Sequence, residues 1–140
     1  MIINAREEHL NDIYRLMCVL ENKELNKIHF EKCYILGLES EDIYYYLYQY
    51  EDKIVGYISL YVHHYMHHDC DTGEIVELVV DESCRGQKIG SQLIEYVEEK
   101  ARYLGLEEIE LSTSTYRKKA HKFYETHGYI MNHYNYIKKL

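Results

Sequence analysis

Apolar positions along the chain change their period several times, and each change marks an element. Ile2 and Ile3 begin a short strand, after which Leu10, Ile13, Tyr14, Met17 and Leu20 return at steps of three and four, the period of an amphipathic helix. Asn26 is placed to cap a second helix carrying Phe30, Cys33, Tyr34 and Leu38. Residues 43–50 are then tyrosine-rich, Glu51-Asp52-Lys53 reads as a turn, and residues 54–62 continue as a strand, so a β-hairpin is expected. A polar, histidine-rich loop over 63–72 leads to residues 75–80, a nearly unbroken apolar run expected of a central strand covered on both faces. Ile89, Leu93, Ile94, Val97, Ala101 and Leu104 mark a long helix stopped by Gly105. A strand over 108–113, a helix over 117–127 ending before Gly128, and one or two closing strands over 129–138 complete the pattern.

The resulting order is strand, two helices, three strands, helix, strand, helix, strand. No repeat, linker or low-complexity segment interrupts it, so residues 1–140 are expected to form a single α/β (α+β) domain. The 17 tyrosines, beside no Trp and two Phe, supply bulky apolar area while leaving many hydroxyls that need partners. With no proline at all, turns must rest on Gly, Asn and Asp.

A formal net charge of -8 argues against nucleic acid, whose phosphates call for a basic face, and favours a cationic or amine-bearing partner. No stretch approaches the roughly 18 apolar residues of a membrane span, and Met1 leads into polar sequence rather than a signal peptide. A cytoplasmic protein is expected. Cys18, Cys33, Cys70 and Cys84 are scattered with no Cys-x-x-Cys pair, as reduced thiols would be.

Arg85-Gly86-Gln87-Lys88-Ile89-Gly90-Ser91 stands where the apolar strand gives way to the long helix. Such junctions bind phosphate because the first N–H groups of a helix lack internal partners and the helix dipole adds partial positive charge. Gly86 and Gly90 permit close backbone approach, and Arg85 and Lys88 add cations. Physics alone leaves two readings open, a phosphate cradle and a plain turn.

Leu78-Val79-Val80-Asp81-Glu82-Ser83-Cys84 followed by Arg85 to Gly90 resembles the acetyl-CoA motif of the GNAT N-acetyltransferase superfamily, and Ala120-His121-Lys122-Phe123-Tyr124 through Gly128-Tyr129 resembles its late helix. The resemblance implies a mixed, mostly antiparallel sheet of six to seven strands with about four helices on its two faces. It implies acetyl-CoA as co-substrate, bound along Leu78 to Val80, residues 85–91, Arg117, Ala120 and Tyr124. Two positions depart from the pattern: Lys88 stands where the loop usually has Gly, and Arg117 where the late helix often opens with Asn. The oligomeric state stays open. A homodimer, common in the superfamily, is one outcome, with the tyrosine-rich hairpin as a source of contact area.

Acetyl transfer to an amine requires a neutral nucleophile, stabilisation of the tetrahedral oxyanion, and a proton for the departing thiolate. By the resemblance Tyr124 is the acid, as a phenol with a pKa of about 10 suits a thiolate. A backbone N–H of Val79 or Val80 is the expected oxyanion donor, given a strand that bulges and splays there. Glu74 and Glu77 are the candidate bases, since a carboxylate in an apolar strand gains basicity on desolvation. Their parity differs, so a regular strand points them to opposite faces, and the sequence does not separate them.

His63, His64, His67 and His68, with Asp69 and Asp71, offer ligand types for a divalent metal, though clustered loop histidines also occur as solvated or substrate-facing groups. His67-His68, Gly73 to Val80, Glu110 to Thr113 and Arg117 to Tyr124 resemble one subgroup, the aminoalkylphosphonate N-acetyltransferases, and this likeness includes Arg117. It implies a small aminophosphonate acceptor and a divalent metal, with His67, His68 and Arg117 as candidates for holding the phosphonate and His67 and His68 for the metal. The alternatives are a polyamine, aminoglycoside or protein amine as acceptor, or a non-catalytic acyl-CoA-binding sensor on the same fold.

Overall fold

A computed structural model describes residues 1–140, which divide into two compact units, Met1–Glu110 and Leu111–Leu140. In the first unit β1 (Ile2–Asn4) leads through a 3-10 turn (Glu7–His9) to α1 (Leu10–Glu21) and α2 (Lys27–Glu39). The hairpin β2 (Ile43–Tyr50) and β3 (Lys53–His63) follows, then β4 (Thr72–Ile75), β5 (Leu78–Val80), α3 (Ile89–Tyr103) and β6 (Ile109–Leu111), within which the unit ends at Glu110. Asn26 caps α2 as its sequence position predicts, its side-chain oxygen accepting the His29 N–H at 2.9 Å. No helix is long and apolar enough to cross a membrane, and all four cysteines are free thiols.

The strands form one six-stranded sheet in the order β1-β2-β3-β4-β6, with β5 also paired to β3. β2 runs antiparallel to both of its neighbours, β1 and β3, and β4 and β5 run antiparallel to β3. β6 makes the sheet mixed. The Glu107 N–H reaches the Asp71 carbonyl at 3.0 Å and the Gly73 N–H reaches the Glu108 carbonyl at 2.9 Å, bonds that step forward along both segments as parallel neighbours do.

Helices cover both faces of this sheet. Ile13, Leu16 and Met17 of α1 and Tyr34 of α2 pack with Tyr45, Leu47, Tyr57 and Val79 on one face. On the other, Gly56 lies against Leu93 and Ile89 of α3, whose Leu93, Ile94 and Val97 are wholly buried. Burying side chains of this size contributes about 1.5–3 kcal/mol each, which is why the three- and four-residue stripes of α1 and α3 were legible.

The second unit contains one helix, α4 (Lys118–Thr126), followed by Gly128 at φ 87°. The strands expected over 129–138 are not formed: the chain from Tyr129 to Leu140 has no regular structure, and Tyr134 and Tyr136 are exposed. A strand needs a ladder partner, and this unit holds no second strand, so β propensity alone does not produce one. The strand expected over 108–113 is also shorter, three residues rather than six.

One helix-interior glycine has a packing reason. A Cβ on Gly37 of α2 would lie 1.8 Å from the Tyr45 hydroxyl, which therefore sits where a side chain would be. Gly37→Ala should lower stability by about 1–3 kcal/mol despite alanine's better helix propensity. Tyr45→Phe, which removes the clashing oxygen, should recover part of the loss in urea denaturation of the double variant.

Candidate active site

The central strand is not continuous. Tyr61 of β3 faces Glu74 of β4, whereas Ile58 faces Leu78 of β5, so three steps along β3 are matched by four on its partner. The partner strand thus carries one extra residue, a β-bulge at the interruption after Ile75. Its effect is to cancel the opposite parity of Glu74 and Glu77. Glu74 lies across from Tyr61 and Glu77 across from Ser59, two positions apart on β3, and both carboxylates project from the face that α1 and α2 cover.

Glu77 is held closely. Its carboxylate accepts hydrogen bonds from the Ser59 hydroxyl at 2.7 Å and the Tyr57 hydroxyl at 3.4 Å, while its own N–H donates to Ser59 Oγ at 3.0 Å. Burial pushes the Glu77 carboxyl above the ordinary carboxylate range, against the lowering effect of these hydroxyls and with a smaller push from the nearby charge of Glu74. Ser59, fully buried, and Tyr57 are site residues that the sequence patterns do not single out; the one signal is that Ser59 is a lone hydroxyl between Ile58 and Leu60.

Beyond the bulge, β5 has β3 on one side and no strand on the other. The Ser59 N–H bonds the Glu77 carbonyl at 3.0 Å and the Asp81 N–H bonds the Val55 carbonyl at 2.7 Å, so odd positions of this strand turn their backbone toward β3. In an antiparallel ladder the alternate residues, Leu78 and Val80, turn theirs outward. The Val80 carbonyl accordingly accepts a bond from Arg85 Nε at 3.3 Å. Of the two expected oxyanion donors, Val79 is therefore committed to the sheet and Val80 directs its N–H away from β3.

The turn after β5 is fastened by Asp81, which accepts from the Ser83 N–H at 3.1 Å and from Arg15 Nη1 of α1 at 2.8 Å. Gly86 and Lys88 both adopt left-handed backbone, φ 86° and 62°. The second value explains why glycine is usual at the Lys88 position: a side chain there costs of order 1–2 kcal/mol. α3 then begins at Ile89 with no capping side chain, leaving the N–H groups of Ile89, Gly90 and Ser91 at a positive helix end. Gly86 has open space around it, and Arg85 and Gln87 are exposed.

In the second unit Tyr124 stands on α4 with its ring against Phe123 and Tyr129. Burial raises its phenol pKa and the Arg117 charge opposes the rise, so it stays protonated at neutral pH. Ala120 lies on the same helix, and Arg117 precedes its first turn, its guanidinium 5.9 Å from the Tyr116 ring.

The histidine loop separates into distinct partnerships. His64 bonds Asp71 at 2.9 Å and Asp42 at 3.0 Å through its two ring nitrogens; both must donate, and these hydrogen bonds raise its pKa. His63 Nε2 bonds Glu74 Oε1 at 2.8 Å and stacks on Tyr65. Two groups bring ligand atoms within 4.8 Å of one another: His63 with Glu74 and Glu110, and His68 with Glu107 and Glu108. His67, exposed against His68 and Tyr65, enters neither.

A bulged strand with an open edge, followed by an uncapped helix and with a partly buried carboxylate on the sheet face beside the bulge, is the architecture of an acyl-CoA-dependent transferase. The pattern of the acetyltransferase (GNAT) family matches residues 7–129, and the chain belongs to that family. It is an acetyl-CoA-dependent N-acetyltransferase. It is 40% identical over 137 residues to the aminoalkylphosphonate N-acetyltransferase of Salmonella typhimurium (strain LT2), a match covering 98% of this chain and 89% of that protein. In fold it is similar to a transcriptional regulator from Bacillus halodurans C-125, with TM-score 0.92, 21% identity and coverage of 100% and 99% of the two chains. It is similar also to a putative acetyltransferase from Agrobacterium tumefaciens str. C58, with TM-score 0.89, 19% identity and the same coverage.

The left-handed backbone at Lys88 has a measurable consequence. Lys88→Gly should stabilise the protein by up to about 1 kcal/mol in urea denaturation, the relief of strain exceeding the added chain entropy. A loss of stability would show that the lysine side chain contributes more than its backbone conformation costs.

Proposed function

We propose that this protein transfers the acetyl group of acetyl-CoA to the primary amine of an aminoalkylphosphonate, its two compact units acting as one catalytic domain in the cytoplasm. The acceptor reading is carried by the 40% identity to the Salmonella enzyme, which extends over nearly the whole chain. The family pattern running from residue 7 to 129 supports treating the units together. A homodimer remains part of this reading by family habit.

Glu77 is the base. It removes the proton of the acceptor ammonium, and the freed nitrogen attacks the thioester carbonyl. The N–C bond forms as the carbonyl electrons move to oxygen, and the outward N–H of Val80 stabilises the developing charge by donating a hydrogen bond to it. Collapse breaks the C–S bond, Tyr124 protonates the thiolate to release CoA, and the nitrogen, cationic after attack, gives up its second proton to water as the amide forms, Tyr124 regaining its proton from solvent. Leu78 offers its outward backbone groups to the pantetheine while Val80 serves the thioester oxygen, and the α3 N-terminus with Arg85, Gly86, Gln87 and Lys88 receives the pyrophosphate. By the same resemblance Arg117, His67 and His68 are the residues assigned to the phosphonate, Arg117 as its cation.

A divalent cation belongs to this acceptor reading. The histidine and carboxylate donors gathered around His63 and around His68 fit such an ion, which when bound would supply concentrated positive charge to phosphonate oxygens. One observation favours a different acceptor: Glu74, Glu77 and Glu110 make an acidic patch that suits a polyamine directly.

A panel of amines decides between them. Thiol release from acetyl-CoA with aminoethylphosphonate, and none with spermidine, is expected; the reverse preference would sink the phosphonate reading. Separately, kcat/KM should fall as pH drops through the raised pKa of Glu77, above the usual carboxylate range. Ser59→Ala removes a hydrogen bond that favours the charged form, so the acidic limb should move to higher pH, and Glu77→Gln should lower kcat by about 10²–10⁴-fold.

A further inference from the structure

We propose that His63, Glu74 and Glu110 form a divalent-cation site on the acceptor side of the sheet, which makes Glu74 a ligand and leaves Glu77 as the sole base. This rests on the aminoalkylphosphonate reading for the use of the ion, but the site itself is argued from geometry. The three residues come from three neighbouring strands, β3, β4 and β6, and their ligand atoms lie within 4.8 Å of one another. His63 Nε2 is 2.8 Å from Glu74 Oε1, and its ring is stacked on Tyr65 with centroids 4.9 Å apart, which fixes the ring plane. One imidazole nitrogen and two carboxylates are the mixed donor set of Mn2+, Co2+ and Zn2+.

A second observation lies beside the triad. Thr72 is directly across from His63 in the β3–β4 register and so shares its face; it is 2% exposed, and its hydroxyl has no hydrogen-bond partner. A buried hydroxyl without a partner costs about 1–3 kcal/mol, and a polar ligand held by the triad would relieve it. Charge gives a third argument. Glu74 and Glu77 project from one face of a chain of net charge -8, and Glu110 converges on Glu74, a surface that repels a phosphonate dianion unless a cation intervenes. The His68 group is placed differently: Glu107 already accepts the Cys70 N–H at 3.0 Å, and Glu107 and Glu108 lie before β6 begins.

The test reads metal binding without turnover. Protein freed of metal by chelation is titrated with Mn2+, the free ion being followed by its EPR signal, and with Co2+ by visible absorption. One saturable equivalent per chain is expected. His63→Ala and Glu110→Gln should each weaken it at least tenfold, whereas His67→Ala and Glu107→Gln should leave it within twofold, all variants being checked by circular dichroism. No saturable binding, or binding lost in His68→Ala and Glu107→Gln but kept in His63→Ala, overturns the assignment. Because no acceptor is present, the result is independent of the amine panel: preference for spermidine would remove the phosphonate while leaving the measured ion site in place.

Discussion

One inserted residue in the central strand organises the first unit. Pairing to β3 is retained on both sides of it, so the sheet keeps its hydrogen bonds while the strand slips by one position. In a period-two structure that slip inverts the facing of everything downstream. The two glutamates are thereby brought to one face, and the strand is divided into β4, which has β6 beside it, and β5, which has an open edge. The carboxylate patch and the outward-facing backbone groups of Leu78 and Val80 are two consequences of the same insertion.

The cost of this arrangement is met locally. Glu77 would be expensive to desolvate alone, and Ser59 and Tyr57 offset part of that cost with hydrogen bonds while leaving its pKa raised. These donors sit on β3, a strand whose residues 54–60 are all buried, so they have little freedom to move when a ligand arrives. The Glu77 carboxylate is thus held in a preorganised polar setting.

Helix stripes and caps were readable because they depend on residues a few positions apart. Leu93 and Val97 recur at one turn's spacing, and Asn26 announces a start. The bulge was not readable: Gly73 to Val80 is an apolar run with two acidic residues, and nothing in it marks where an extra position falls. The sequence therefore left Glu74 and Glu77 unseparated, and only the register across β3 relates them. His63, Glu74 and Glu110 were equally hidden, being brought together by strands distant in the chain, whereas the conspicuous pair His67-His68 draws attention by adjacency. The closing strands over 129–138 failed for the opposite reason. Tyrosines and isoleucines there satisfy β propensity, but a strand is a relation between two segments and propensity describes only one.

Asp81 bonds Arg15 across 66 positions of sequence, and α1 packs on β3 and β5 through Ile13, Leu16 and Met17 with Tyr57 and Val79. During synthesis at roughly 5–20 residues per second, α1 is made several seconds before the strand and turn that receive it. Its apolar stripe must wait in water, or on a chaperone, until the turn after β5 exists. The helix that covers the carboxylate-bearing face thus becomes a late-docking piece of an early-made segment, and a nascent chain stalled before Asp81 would display that stripe.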